Sequence, residues 1–412
     1  MKNLLLAATV LLAAPIASAS TLVVSETADS VANDGRCSLR EAITAANTGL
    51  ASGAATGECG QGLAAPYDRI DVPAGDYRLT RAGTGEDNNA NGDLDIRSAN
   101  LELRGAGADV VTIRGDREER VIDIGGGVAP AGAHVAIVGV TIRNGGDASG
   151  GGIRTRAGWA LRLADCGLSN NAADVAGGID AAGALEIDAC AFHGNSATDA
   201  TGAGGGALRY AGTSAALIRN TTFNANESPT SGSVALFDGP ATLNNVTATE
   251  NIADTDFSGT GDGAIVANAT TAMSNSIIAR NVDLSVAIGG PNNPDCVAAS
   301  GQLQSQGYNL VGNPGTTCAF TAAAGDQIGT PATPLDPKLE PFAVYGGTVE
   351  TQPPRAGSPA IDAGNPAPTG IAPACESDDA RGIARPSGLR CDIGAVELND
   401  RIFADGFDPA PL

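Results

Sequence analysis

Between residues 142 and 281 a short signature recurs in which an Asn follows an apolar residue three positions on, and this recurrence constrains the fold more than anything else in the chain. Leu168 to Asn171, Phe192 to Asn195, Phe223 to Asn226, Ala248 to Asn251 and Ile278 to Asn281 are full copies, and Ile142 to Gly145 is a first copy without the final Asn. The anchors advance by 24, 31, 25 and 30 residues. Glycine clusters lie between them: Gly150-Gly151-Gly152-Ile153, Gly177-Gly178-Ile179, Gly204-Gly205-Gly206-Ala207, Gly232-Ser233-Val234 and Gly261-Asp262-Gly263-Ala264. Such a period means one small unit stacked on its copies, each burying an apolar face that it cannot bury alone.

The strands select the architecture. Ala160-Leu161-Arg162-Leu163-Ala164 and Ala184-Leu185-Glu186-Ile187-Asp188 alternate with period two, so Leu161, Leu163, Leu185 and Ile187 point inward and Arg162 and Glu186 outward. Helical stripes and the leucine-rich frame are both missing. An all-β parallel β-helix remains, with coils rising by about 4.8 Å. Glycines are expected to turn the corners, because positive φ costs them nothing. The asparagines are expected to form an internal ladder, each bonding its copy in the next coil.

Register makes two further predictions. Cys166 and Cys190 are 24 residues apart and hold the same place relative to their anchors, so they are expected to stack and bond. The same offset sets Arg162 against Glu186 as an exposed ion pair worth roughly 0–1 kcal/mol.

Lys2, the apolar run Leu4 to Ile16 and the small residues Ala17-Ser18-Ala19 form a signal-peptide pattern, cleaved before Ser20. No other stretch has the roughly 18 apolar residues of a membrane span, so no transmembrane helix is expected. Secretion or display on a bacterial cell surface is the expected destination. In that setting eight cysteines suggest four local bridges: Cys37 with Cys59, Cys166 with Cys190, Cys296 with Cys318, and Cys375 with Cys391. Structural zinc is the rival, but no C-x-x-C occurs and only His134 and His193 could assist.

The formal charge of −22, with Lys338 the single lysine after the leader, makes nucleic acid and anionic lipid poor partners. Aromatics at 3% leave few platforms on which sugars or bases could stack. An extracellular glycan or cell-surface component is the partner class that remains, with the chain itself a monomer.

Along the chain, residues 1–19 are the signal peptide and 20–65 an N-terminal cap. In the cap Ser38 and Glu41 make a capping box, and Leu39, Ala42, Ile43 and Ala46 share one helical face suited to covering the open end of the core. Residues 66–290 are the β-helix, beginning with strands at Tyr77 to Leu79, Leu101 to Leu103, Val110 to Ile113, Val121 to Ile124 and Val135 to Ile142. Residues 291–398 are closing coils and a C-terminal cap, and 399–412 a tail carrying Phe403 and Phe407 as a docking or sorting peptide or a strap on the last coil. The tract from Glu86 to Asp95 is similar to a calcium loop, with Asp87, Asn89, Asn91, Asp93 and Asp95 as ligands. Ser98 stands where the bidentate Glu belongs, so calcium is the only cofactor in view and its site would be weak.

The Cys37-Ser38-Leu39-Arg40-Glu41-Ala42-Ile43 string resembles the signature of CSLREA-domain proteins, and Gly92-Asp93-Leu94-Asp95-Ile96 and Val140-Thr141-Ile142-Arg143-Asn144-Gly145 fit that family too. Gly357 to Gly364 and Asp392 to Glu397 look like the choice-of-anchor Q region, and the glycine clusters with F-x-x-N are similar to repeats of polymorphic outer-membrane proteins. The resemblance implies a pectin-lyase-like, right-handed parallel β-helix exported by a bacterium. It implies no reaction, and a C-terminal barrel like that of the polymorphic proteins is not expected.

Three roles fit such a rod: a non-catalytic protein for adhesion or matrix and glycan contact, which is preferred; a polysaccharide lyase or glycoside hydrolase acting on an acidic polysaccharide; and a structural spacer. The catalytic reading rests on Asp165, Asp180, Asp188, His193 and Arg209, expected to converge on one face of neighbouring coils. Fold alone cannot choose among these roles.

Overall fold

The computed structural model describes residues 20–62, 67–200, 204–259, 261–289, 292–370 and 372–398. The proposed signal peptide and the tail at 399–412 lie outside the described residues. Each coil contributes a strand to sheet A (Ala160–Ala164), turns a corner into sheet B (Gly167–Ser169), passes a short edge (Ala172–Val175) and lays a strand in sheet C (Ile179–Ala181) before stepping to the next coil. Among the described residues sheets A and B have ten strands each and sheet C eight. Neighbouring coils pair in parallel, as in Leu161↔Leu185 and Ile179↔Leu208, so the chain is a parallel β-helix.

The repeat anchors pair in one unbroken column: Ile142↔Leu168↔Phe192↔Phe223↔Ala248↔Ile278. Their unequal spacing is absorbed outside the sheets, in loops such as those after Ala197 and Ala253. Inside sheet A a matching column runs Leu103, Ile137, Leu163, Ile187, Ile218, Leu243 and Met273, each nearly inaccessible. Each such side chain stabilises the stack by about 1.5–3 kcal/mol relative to exposure. Phe192 and Phe223 stack with centroids 4.7 Å apart.

The apolar run from Val135 to Ile142, which reads as one strand, is two. Gly139 at φ +67° turns it from sheet A (His134–Val138) into sheet B (Thr141–Arg143). The same corner in later coils is made by Asp165, Ala189, Asn220, Asn245 and Asn275, all at positive φ.

Helix Leu39–Thr48 covers the first coil, packing on strands Asp68–Val72 and Leu94–Ile96. Its capping box forms as expected: Ser38 Oγ accepts from the Glu41 amide at 3.1 Å, and Glu41 Oε2 accepts from the Ser38 amide at 2.9 Å. Arg40 is fully buried, paired with Asp29 at 2.6 Å and donating to the carbonyls of Gly92 and Asp93 at 2.7 and 2.8 Å. This one guanidinium ties the cap to the first coil.

Three disulfides form, Cys37–Cys59, Cys296–Cys318 and Cys375–Cys391. The fourth expected bridge does not. Cys166 and Cys190 stack one coil apart, immediately before the pair Gly167↔Ala191, but remain free thiols. Stacking brings the two buried side chains beside each other without meeting the narrow S–S length and torsion that a bridge requires. The two thiols donate instead to the carbonyls of Ala164 and Asp188, both at 3.2 Å.

Closing coils continue through Cys296–Ala298, Leu303–Gly307, Leu310–Val311 and Gln327–Ile328. Beyond Ile328 the chain leaves the stacked sheets. It turns back along the A–B corner, held by Asn275 Nδ2 to Pro373 O (2.9 Å), Asn245 Nδ2 to Gly394 O (3.1 Å) and Asn244 Nδ2 to Ala374 O (2.8 Å). Farther back, Val349 and Phe342 pack on Ala108, in the turn before strand Val111–Arg114, and on Ala191 of sheet B. Apart from the short strands Ala343–Val344 and Glu350–Thr351, which pair with each other antiparallel, this Pro- and Gly-rich return segment lacks the alternation of a strand, and its carbonyls find partners on corner side chains.

Candidate functional site

Where the return segment crosses the A–B corner it leaves a cleft. Two hollows of about 460 and 210 Å³ share Asp165 and Gly382. The coils supply Arg104, Gly105, Arg162, Asp165, Asp188 and Asn220, and the return segment supplies Thr348, Glu376, Asp378, Asp379 and Arg381. Stacking puts these coil residues in line: Asp165, Ala189 and Asn220 are the corner residues of three successive coils.

The cleft is acidic, and its cations are already engaged. Arg219 bonds Glu186 at 2.6 Å and the lining Asp188 at 3.0 Å; Arg381 bonds Asp379 at 2.7 Å; Arg104 bonds Glu102 at 2.5 Å. Arg162 and Glu186 form the expected pair at 3.8 Å. Asp165 opens onto the cleft, yet the surrounding walls, and then the Asp188 charge, raise its carboxyl above the usual range. Burial raises Glu376 as well, against a hydrogen bond from Asn244 and the Arg219 charge. Asn220 donates to Asp188 Oδ1 at 3.2 Å, while its own buried Oδ1 has no partner.

The five residues read as catalytic do not converge on one face. Asp165 and Asp188 meet in the cleft. Asp180 and Arg209 sit opposite one another in sheet C, 3.6 Å apart. His193 lies on sheet B, stacked on Phe342 at 4.8 Å and bonded through Nδ1 to Asn224 at 3.1 Å. The sheet C pair belongs to a charged column Asp95↔Asp123↔Arg154↔Asp180↔Arg209, in which carboxylates and guanidiniums face one another across coils.

The calcium-loop residues also part company. Asn89 turns inward, donating to Arg40 O at 2.8 Å and Thr44 Oγ1 at 2.9 Å and accepting from the Asp95 amide. Asp93 pairs with Arg120 at 2.9 Å. Asn91 touches the cap through its carbonyl, 3.4 Å from Arg40. Asp87 and Asp95 do approach each other, joined by Asp123, with carboxylate oxygens within 4.8 Å. Arginines fill that space: Arg97 reaches all three, and Arg156 reaches Asp87 and Asp123 at 2.8 Å. Burial lifts Asp93 to about 8 and Asp95 to about 6, while for Asp123 burial is outweighed by hydrogen bonds from Arg154 and Arg156, which hold its carboxyl low.

Glu376, Asp378, Asp379 and Asn220 were not legible as site residues, because nothing local signals that a segment some 200 residues downstream folds back onto the corner. Asp123 and Arg154 carried a usable signal, the coil offset that pairs them with Asp95 and Asp180. Among the described residues no helix is long and apolar enough to cross a membrane. The chain matches no family model, no curated protein and no solved structure.

Proposed function

We propose that this chain is an exported, non-catalytic β-helix protein that contacts an extracellular glycan through the cleft between the A–B corner and the return segment. The cleft itself carries the reading: it is an elongated, polar groove built from two separate parts of the chain and rich in hydrogen-bond acceptors. The leader pattern and three disulfides support an oxidising, extracytoplasmic location. The excess of carboxylates argues against uronate polymers, whose charge it would repel, and so against a lyase acting on them. Titration calorimetry of the full chain against panels of neutral, basic and acidic oligosaccharides tests the reading. Binding without release of sugar ends supports it; no binding by any of them overturns it.

One observation favours a second reading. Asp165, its carboxyl raised by burial and by the Asp188 charge, lines the same hollow as Asp188, which Arg219 binds, and two neighbouring carboxyls in unlike surroundings are the arrangement a glycoside hydrolase uses. New reducing ends from a glycan, abolished by Asp188→Ala, would establish that reading in place of the first.

A further inference from the structure

We infer that one uncharged pyranose of the bound glycan sits beneath the return-segment hairpin, on the outer face of sheet B, an inference that rests on the glycan-contact reading. Strands Ala343–Val344 and Glu350–Thr351 pair antiparallel, and the hairpin they form packs on that face through Val349. Between hairpin and coils lies a third hollow, of about 210 Å³. Thr348 lines both this hollow and the larger one of the cleft, so a ligand lying along the corner can continue under the hairpin. The space is below the roughly 300–1,000 Å³ of sites that hold drug-sized ligands, which limits it to about one ring.

His193 and Ser169 supply its placed polar groups. They are register partners on adjacent coils, so their side chains leave sheet B on the same face, and both line the hollow. The imidazole is oriented before any ligand arrives: it stacks on Phe342, and its Nδ1 meets Asn224 Oδ1 at 3.1 Å. Asn224 Nδ2 donates to Thr249 O at 3.3 Å and to Glu250 Oε2 at 3.1 Å, which turns the amide oxygen toward the ring. An amide oxygen only accepts, so the proton of the neutral imidazole is on Nδ1, and Nε2 is left to accept from a ligand. Ala191 and Val349, both buried, bring apolar side chains to the same hollow. A pyranose matches this division, with hydroxyl donors at its edge and C–H bonds on its face. Charge then selects among sugars. No arginine or lysine stands among the described lining residues to meet a uronate, and the lining carboxylates Asp109 and Glu350 repel one. Being exposed, those two carboxylates add little to the binding of an ammonium.

The chain has only two histidines, His134 and His193, so their ring nitrogens can be followed individually by long-range proton–nitrogen NMR of the full chain. The test is titration at about pH 8, where imidazoles are ordinarily neutral, with β-1,4-linked hexamers of glucose, mannose and galactose and with galacturonate and glucosamine hexamers. At least one neutral hexamer is expected to move the Nε2 resonance of His193 while His134, at the start of a sheet A strand, stays unmoved. That hexamer is expected to bind about tenfold more tightly than either charged one. Ser169→Leu, which fills the hollow from a partly exposed position, is expected to lower its affinity about tenfold, and Ser169→Ala, which removes only the hydroxyl, severalfold. Neutral-hexamer binding that leaves His193 unmoved, or that both substitutions leave unchanged, overturns the inference while glycan contact stands. A charged hexamer that binds as tightly as the best neutral one does the same. If no hexamer binds, both the inference and the glycan-contact reading fall.

Discussion

Single residues in this molecule answer to their neighbours in the coils above and below. The glycine clusters show it: a Cβ on Gly151 would stand 2.3 Å from Ala172 O, and one on Gly178 2.3 Å from Ala207 O, so these glycines permit close approach of coils. The A–B corner, by contrast, takes its positive φ on non-glycine residues such as Ala189 and Asn220. The asparagine column is equally dependent on stacking. Asn171, Asn195, Asn226 and Asn251 each donate to the next Asn at 2.8–2.9 Å, and Asn281 donates to Asp295 at 2.9 Å. Burial pushes Asp295 to about 7, against hydrogen bonds from Asn313 and Asn281. The folded value exceeds the ordinary 3.8, so the folded chain holds a proton that the unfolded chain releases. The contribution is fully present below pH 3.8 and is lost as pH rises through 7, by at most about 4 kcal/mol. Asp295→Asn is therefore expected to flatten the pH dependence of urea-unfolding free energy between about pH 4 and 8 relative to wild type; parallel curves would refute this. The thiols of Cys166 and Cys190 are fully buried. Non-reducing peptide mapping is expected to find them alkylated only after denaturation, alongside three intact bridges.

Elements divide into those whose sequence states their partner and those whose sequence does not. Sheets A and B were legible because alternation and offset jointly specify which residue faces inward and which coil it meets. The cap helix was legible through Ser38 and Glu41, but the role of Arg40 was not, since its acceptors lie about fifty residues away in a turn whose composition suggests a metal loop. Removing this buried charge takes the guanidinium donors from three carbonyls and leaves Asp29 with only the amides of Thr80 and Arg81. Arg40→Ala is expected to cost about 3–5 kcal/mol in chemical denaturation, and Arg40→Lys to recover little of it, because an ammonium cannot span the fork. A loss below about 1 kcal/mol would show that the cap is held by its apolar face alone. In sheet C the charged column through Asp123 and Asp180 gives acidic residues of catalytic type a pairing role. Sequence offers the types of such residues; only the register tells whether an Asp faces an Arg or an open cleft.

At the scale of the whole molecule the return segment is the feature least visible in the sequence and most consequential for the site. Its grip depends on Asn244 and Asn245, which bond Ala374, Glu376, Asp392 and Gly394. The double change Asn244→Ala, Asn245→Ala is expected to raise amide hydrogen exchange across residues 372–398 by at least about tenfold while the strands of sheet B keep their protection. Unchanged exchange in the segment would mean that its own disulfide and apolar contacts suffice. A bare solenoid can fray from either end one coil at a time, because each coil touches only its neighbours. Here a single strand of chain is lashed across many coils, from Asn275 back to Ala108, so peeling the last coil disturbs the lashing over the earlier ones. Pulled lengthwise, such a rod should hold and then give way all at once, like a braced mast instead of an unzipping seam.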